Sequence, residues 1–223
     1  MKKRISAIFT FLFAIFFPFI FGFVAAFFPK NIINSIPEIF FYLIPQLLLI
    51  LFLYLIYKDK LKEEWQLFKS NWKIYLEKNL YYWIMGLILM GLLNSIIGDI
   101  VVKDMPENEQ LVRMMLKDMP IYMLFSTLIS APFTEEIIYR KTLNDIFNNE
   151  KMYVVFSGIL FGLAHVIYSY TKILDFLYII PYGVLGGAFA IMYYKTKNIF
   201  VPITFHFTHN FLSVMIILVF SLL

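Results

Sequence analysis

Two adjacent glutamates and an arginine lie within a long apolar stretch, at Glu135, Glu136 and Arg140. An ionised side chain at membrane depth costs from about 2.5 to more than 10 kcal/mol, so such residues usually face a protein interior and serve a function. On a helix, Glu136 and Arg140 are one turn apart and can form an ion pair, whereas Glu135 is turned about 100° away. The spacing therefore predicts a free carboxylate, Glu135, which is a candidate general base. A purely structural ion-pair network is the alternative for this stretch.

Four further polar residues lie in apolar segments nearer the C-terminus: His165, His206, His209 and Asn210. All three histidines of the chain belong to this set, and each lies on a segment that could face the glutamates. His206 and Asn210 are four positions apart, so on a helix they share a face and could donate hydrogen bonds into one pocket. His209 lies near the same face, where it could support the site or compete with Asn210 for that role.

Two hydrolytic chemistries fit these residue types. In the first, Glu135 and His165 hold and deprotonate a water, while His206 and Asn210 stabilise the oxyanion that forms at a carbonyl. In the second, His165, His206 and a glutamate bind zinc, with Glu135 as the favoured glutamate ligand. The histidines do not have the helical pair spacing typical of zinc peptidases. We therefore expect that no cofactor is required and keep zinc as the alternative.

The composition predicts an all-α, polytopic membrane helix bundle. The chain is 61% hydrophobic, 20% aromatic and only 15% charged, whereas soluble domains are about half apolar and a quarter charged. Its 223 residues accommodate about seven transmembrane helices of about 20 residues each. The lipid bilayer is thus an expected partner. No nucleic acid is needed to explain the net charge of +4, because Lys and Arg in membrane proteins report orientation first.

The chain contains no cysteine, which excludes thiol catalysis, cysteine-based zinc sites and disulfides. Seven segments are predicted to cross the membrane: 5–28, 36–57, 80–102, 121–143, 152–170, 173–194 and 199–222. We expect the first to be a retained span, because it is longer than the apolar region of a signal peptide. Pro132 should kink or restart the fourth span, which frees carbonyls that need internal partners.

The segment 58–79 differs from its apolar neighbours because it is rich in lysine. Its apolar and aromatic residues recur at three- and four-residue intervals: Leu61, Trp65, Phe68, Trp72, Tyr75 and Leu76. Lysines occupy the other helical face, so the pattern predicts an amphipathic helix that lies on the membrane surface. The chain then divides into N-terminal membrane helices over 1–119, with this interfacial segment, and catalytic core helices over 120–223.

The distribution of basic residues predicts the orientation. If the N-terminus is cytoplasmic, most of the 19 Lys and Arg residues lie on the inner side, as the positive-inside rule requires. We therefore predict a multi-pass protein of the cytoplasmic membrane with its N-terminus in the cytoplasm and its C-terminus outside.

Three short motifs follow one another on successive predicted helices: Glu135-Glu136-x-x-x-Arg140, Phe161-x-x-x-His165 and His206-x-x-x-Asn210. In this order and in an apolar context they resemble the motifs of the CPBP family. That family comprises CAAX prenyl proteases and bacteriocin-processing proteases of the membrane, also called Abi or type II CAAX protease-like proteins. The resemblance covers about residues 120–212, and residues 1–119 lie outside it.

The resemblance implies an all-helical membrane protease and a role for each motif residue. The positions that match the family's catalytic residues are Glu135, His165, His206 and Asn210. Supporting positions are Glu136, Arg140 and Phe161, together with His209, which is an addition to the motif. Members have long been called metalloproteases, whereas an archaeal relative of the eukaryotic enzyme suggests a glutamate-activated water without a required metal.

The residues and the resemblance together predict an intramembrane, glutamate-dependent endopeptidase that acts on a peptide or a membrane protein. By resemblance, its work would be the processing of bacteriocin or signalling peptides, or self-immunity against bacteriocins. The rival hypothesis is a non-catalytic membrane scaffold, or a small ion or proton carrier that uses the same buried carboxylates. A carrier usually shows two related halves, and this sequence shows no such repeat.

Overall fold

The computed structural model describes residues 2–29, 31 and 35–221, and within them every regular element is helical. We number seven helices in chain order: α1 Lys2–Ala25, α2 Glu38–Ser95, α3 Glu107–Asp118, α4 Pro120–Ile146, α5 Glu150–Val166, α6 Ile179–Thr196 and α7 Phe200–Ser221. A π-helical turn, Ile96–Val102, extends α2, and a 3-10 turn, Ile173–Tyr178, precedes α6. The predicted all-α membrane bundle is confirmed.

Five helices in the described part of the chain are long and apolar enough to cross a membrane, where the sequence predicted seven. They are α1, α2 with its π-helical extension, α4, α6 with its 3-10 turn, and α7. The predicted span 152–170 corresponds to α5, which has 17 residues and is about 26 Å long, shorter than a hydrocarbon core of about 30 Å. The last residue of the final predicted span, 222, lies outside the described residues.

The predicted spans 36–57 and 80–102 belong to one continuous helix, because the segment between them is helical too. The helix α2 runs through 58 residues without interruption. The segment 58–79 contains neither glycine nor proline, so its charges change the helix's surroundings without breaking its hydrogen bonds. The interfacial segment is therefore the middle of α2 and not a helix of its own.

The helix α2 bends in this charged middle. Its first half follows α4, since Gln46 Nε2 donates to Ser126 Oγ and the hydroxyls of Tyr57 and Thr142 lie 2.9 Å apart. Its second half reaches α7, where the Trp83 ring packs on Phe205. A straight helix would separate residues 46 and 83 by about 55 Å. Because α4 and α7 pack on each other, α2 can touch both only by bending between Tyr57 and Trp83.

A buried ion pair holds the bend against the bundle. Glu64 forms an ion pair with Lys141 of α4, and both side chains are buried. Its other carboxylate oxygen accepts the Ile199 backbone N–H at 2.7 Å, and Asn198 Nδ2 donates to the Glu64 carbonyl at 2.7 Å. The sequence predicted an amphipathic helix on the membrane surface here, with lysines on one face. It missed Glu64 because hydropathy cannot distinguish a buried charge with partners from an exposed one.

Close packing of α5 on α6 positions the second motif. A Cβ added to Gly158 of α5 would lie 2.6 Å from the Gly183 carbonyl oxygen of α6, which is too close for any larger residue. Small residues of this kind let two helix backbones approach closely. The approach fixes Phe161 and His165 of α5 in the interior of the bundle.

Candidate active site

The ion pair predicted from the helix spacing is present and completely buried. Arg140 Nε donates to Glu136 Oε2 at 2.9 Å and Arg140 Nη2 donates to Glu136 Oε1 at 3.2 Å, with both side chains 0% exposed. Arg140 Nη1 also donates to Ser157 Oγ at 2.9 Å, and the guanidinium carbon lies 4.6 Å from the Phe161 ring centroid. The arginine therefore joins α4 to α5, and Ser157 is a partner that the sequence did not reveal.

Pro132 shapes α4 and provides a docking point for α7. The Ala131 N–H donates to the Ser126 carbonyl in the π-helical register. The next bond in that register would run from residue 132 to Thr127, but proline has no N–H to donate. Asn210 Nδ2 of α7 donates to the freed Thr127 carbonyl at 2.8 Å. The proline-freed carbonyl thus has the internal partner that the sequence predicted, and one N–H of Asn210 is used for it.

His206 is held by Glu136, a contact that the sequence analysis missed. His206 Nδ1 lies 2.9 Å from Glu136 Oε1, and the imidazole is buried. Because Glu136 is paired with Arg140 and accepts this bond as a carboxylate, Nδ1 carries the proton. The other ring nitrogen, Nε2, lies 4.0 Å from Glu135 Oε2. The available signal was that Glu136 has two oxygens and only one partner on its own helix.

His165 is oriented in the same way from the opposite helix. Its Nδ1 lies 2.8 Å from the Phe161 carbonyl oxygen, which can only accept, so Nδ1 again carries the proton. The ring stacks on Tyr182 with centroids 4.7 Å apart. His165 Nε2 is thereby directed to Glu135 Oε2, at 3.9 Å. Tyr182 is a further neighbour of the site that no motif indicated.

Glu135 lies where two imidazoles converge. Its Oε2 atom is buried and has no hydrogen-bond partner among the residues that the structure describes. Two hydrogen bonds of about 2.8 Å that meet at one water oxygen at roughly 90–109° span about 4.0–4.6 Å. The spacings of 3.9 Å to His165 and 4.0 Å to His206 are close to that span. One water could therefore contact all three side chains, whose catalytic roles stay predictions.

The same three residues are the zinc ligands of the alternative hypothesis. Both imidazoles offer Nε2 beside a carboxylate, and their Nδ1 atoms are fixed by a carbonyl and a carboxylate, as is typical of metal-binding histidines. The ligand atoms of a tetrahedral zinc lie about 3.4 Å apart, so the observed spacings are longer. Within the described part of the chain, no cluster of three His, Cys, Asp or Glu has the spacing to hold a metal ion.

Two neighbouring cavities share His165 and Asn108 in their linings, and together we call them the cleft. The Glu135 cavity, about 430 Å³, is also lined by Gln46 and Glu135. The His206 cavity, about 360 Å³, is lined by residues of α2, α4 and α7, among them Asn94, Thr127, His206, His209 and Asn210. His209 thus borders the His206 cavity, while His206 is the imidazole of α7 that faces Glu135.

The comparisons with known proteins concern the helices that carry these residues. Residues 117–212 match a family model described as type II CAAX prenyl endopeptidase Rce1-like. Residues 117–212 are thus similar to that family, and we call them the Rce1-like segment. The match confirms the resemblance predicted from the three motifs over about residues 120–212. The Rce1-like segment contains α4 to α6 and the motif-bearing part of α7, whereas α1 and α2 lie outside it.

Two curated relatives carry names that agree with this match. YdiL of Bacillus subtilis (strain 168), named as a membrane peptidase, is 31% identical over 108 residues, which are 47% of this chain and 40% of YdiL. The membrane-embedded CAAX protease MroQ of Staphylococcus aureus (strain USA300) is 30% identical over 114 residues, 47% of this chain and 42% of MroQ. The matched region thus spans less than half the length of either relative. No solved structure matches the chain.

Proposed function

We propose that this chain is an intramembrane endopeptidase in which Glu135 activates a water that attacks a peptide bond. The observation that carries the proposal is the buried Oε2 of Glu135. It has no hydrogen-bond partner among the described residues and lies within 4.0 Å of the Nε2 atoms of His165 and His206. The Rce1-like segment and the names of YdiL and MroQ support a protease over the scaffold and carrier hypotheses.

The charges of the site suggest where its mobile proton lies. Glu135, Glu136 and Arg140 leave one net negative charge if both imidazoles are neutral. An uncompensated buried charge is costly, so one more proton is favoured. We assign this proton to His206, because Glu136 accepts from its Nδ1 at 2.9 Å and would stabilise the imidazolium. His206 Nε2–H can then donate to a developing oxyanion.

The reaction follows from these assignments. Glu135 takes a proton from the water as the water oxygen bonds to the substrate carbonyl carbon, with His165 holding the water. The oxyanion accepts from His206 Nε2–H and from the second N–H of Asn210, whose first N–H donates to Thr127. The C–N bond then breaks as Glu135 returns the proton to the leaving nitrogen. No covalent enzyme intermediate forms.

Zinc is not needed in this mechanism. If it binds, Glu135, His165 and His206 would hold it, and it would supply polarisation of the carbonyl. The substrate would be a peptide or a membrane protein, and processing of bacteriocin or signalling peptides or bacteriocin self-immunity are the roles that the family resemblance favours. The orientation that we propose keeps the N-terminus in the cytoplasm and the protein in the cytoplasmic membrane.

The proposal is tested by identifying the new N-termini that cleavage creates in membrane proteins. Cells would express the wild type, Glu135→Gln, or the control Glu77→Gln, which changes an exposed glutamate of α2. New N-termini would be labelled and identified by mass spectrometry at equal levels of folded protein. We expect a set of cleavages with the wild type and the control that Glu135→Gln lacks. Identical sets in all three would refute the protease, and a change in proton flux alone would favour the carrier.

A further inference from the structure

The helix α2 lies outside the Rce1-like segment, yet it places two amide side chains in the cleft. Gln46 lines the Glu135 cavity and Asn94 lines the His206 cavity. The side-chain oxygen of each is buried and has no hydrogen-bond partner in the described residues 2–29, 31 and 35–221. Buried polar atoms are rarely left unpaired, because the loss of hydration is not compensated. Both amides are therefore candidates for binding a ligand in the cleft.

Contacts with α4 fix the orientation of Gln46. Its Nε2 donates to Tyr122 Oη at 2.8 Å and to Ser126 Oγ at 2.8 Å. Both N–H groups of the amide are used in this orientation, which leaves Oε1 as an acceptor. Ser126 precedes Glu135 by nine residues, or about 13 Å of helix. An extended chain covers that distance in about four residues.

The walls of the cleft are mostly apolar between these acceptors. Leu49, Ile138 and Ala164 line the Glu135 cavity, while Met90 and Leu185 line the His206 cavity. A lipid chain would suit the walls but has no N–H groups to offer. A regular helix has its interior N–H groups already bonded to its own carbonyls. An extended peptide combines apolar side chains with free N–H groups.

We propose that the cleft binds its substrate as an extended peptide, with Gln46 Oε1 and Asn94 Oδ1 each accepting one backbone N–H on opposite sides of the bond that is cut. This proposal rests on the proposed function and adds a substrate class to it. The preferred substrates are apolar membrane segments that unwind readily because glycine or proline lies near the cleavage site. The helix α2 then contributes to specificity from outside the motif-bearing helices.

Binding of a defined peptide tests the proposal. The probe is a fluorescent peptide of about 20 Leu and Ala residues with a central Gly-Gly pair, added to the protein in lipid nanodiscs. The Glu135→Gln background keeps the peptide intact. We expect Gln46→Met to raise Kd about tenfold, while the control Leu47→Met, on the exposed face of α2, leaves it unchanged. The same peptide without the Gly-Gly pair should bind about tenfold more weakly to the Glu135→Gln protein in which Gln46 is intact.

An ester scan of the probe separates substrate binding from a structural role of Gln46. Each ester replaces one backbone N–H by oxygen. We expect one ester, about four residues from the Gly-Gly pair, to weaken binding to the protein that retains Gln46. The same ester should not weaken binding to the Gln46→Met variant. Asn94→Leu should likewise remove sensitivity to an ester on the other side. Equal ester effects in all proteins would overturn the proposal, since Gln46 would then serve only to hold α4.

The remaining outcomes are equally informative. If the probe does not bind, or if the uninterrupted helix binds as well as the Gly-Gly peptide, the extended-peptide proposal is wrong. Displacement of the probe by oleate together with a flat ester scan would assign the cleft to a lipid chain and overturn it too. If the probe binds with the expected ester pattern but the protein with Glu135 intact does not cut it, the binding proposal holds and the proposed function fails.

Discussion

The two faces of α4 that carry Glu135 and Glu136 differ in the number of hydrogen-bond partners that each carboxylate has. On the Glu136 side, the carboxylate binds Arg140 and His206, and Arg140 also binds Ser157. On the Glu135 side, Oε2 has no hydrogen-bond partner among the described residues, although two imidazoles lie at 3.9 and 4.0 Å. Neighbours in sequence thus have opposite environments.

The difference follows from the geometry of one helix. Consecutive residues point about 100° apart, so Glu136 faces the interior of the bundle while Glu135 faces the cleft. A fully paired network holds its members rigidly, because every alternative geometry loses a hydrogen bond. An unpaired carboxylate beside a cavity can exchange protons with a water or a substrate. The paired side is therefore expected to govern stability, and the cleft side activity.

The largest expected effect is on activity at Glu135. Glu135→Gln keeps the shape of the side chain but removes the base, so single-turnover cleavage should fall by about 10² to 10⁴. Its melting temperature in detergent should stay near that of the wild type, because Glu135 Oε2 has no direct hydrogen bond to lose among the described residues. If the melting temperature of Glu135→Gln falls as much as that of Glu136→Gln, the Glu135 and Glu136 sides do not differ in their effect on stability.

The next effect is on stability at the paired side. Glu136→Gln and Arg140→Ala each leave a buried charge uncompensated, which costs about 3–5 kcal/mol. Both variants should melt well below the wild type and insert poorly. Glu136→Gln should also lose activity, because His206 loses the acceptor that orients it. A stable but inactive Glu136→Gln would exchange the roles that we assign to the two glutamates.

Local rules explain how much of this site could be predicted from the sequence. The Glu136–Arg140 pair needs only a helix, and the carbonyl freed by Pro132 needs only the missing N–H of proline. The Glu136–His206 contact joins residues 70 positions apart, so it depends on how α7 packs on α4. The periodicity of a single sequence does not show which distant residues come into contact.

The parts of the fold that were missed have a common cause. Hydropathy assigns charged residues to water, so the charged middle of α2 was separated from its apolar ends and Glu64 was not singled out. Gln46 has no histidine on its helical face, as Asn210 has with His206, so it was left out of the polar set. The absence of glycine and proline from 58–79 was the available signal that α2 continues.

A smaller stability effect is expected at the other buried ion pair. Glu64→Gln removes the partner of Lys141 at the bend of α2. We expect a cost of about 1–3 kcal/mol, less than for Glu136→Gln, because a buried lysine can lose its proton whereas arginine cannot. Thermal melting of the two glutamine variants side by side measures the difference. Equal melting temperatures would mean that the type of cation does not matter here.

The smallest expected effect is that of metal removal. Glu135 Oε2 lies 3.9 Å from His165 Nε2 and 4.0 Å from His206 Nε2. These distances suit a bridging water better than a tetrahedral zinc. Chelation should therefore change single-turnover cleavage less than twofold. Metal content measured on the same sample by mass spectrometry shows whether any ion was there to remove.

Chelation also tests whether the two sides of the site differ as described. A zinc ion held by Glu135, His165 and His206 would make Glu135 a paired residue, like Glu136, and its removal would lower the melting temperature as well as the activity. Loss of both properties on chelation, with full recovery at one zinc per protein, would assign the cleft side to metal binding. Glu135→Gln would then be destabilising too, because it would remove a ligand. Unchanged melting and cleavage after chelation would instead leave Glu135 as the base that the site uses.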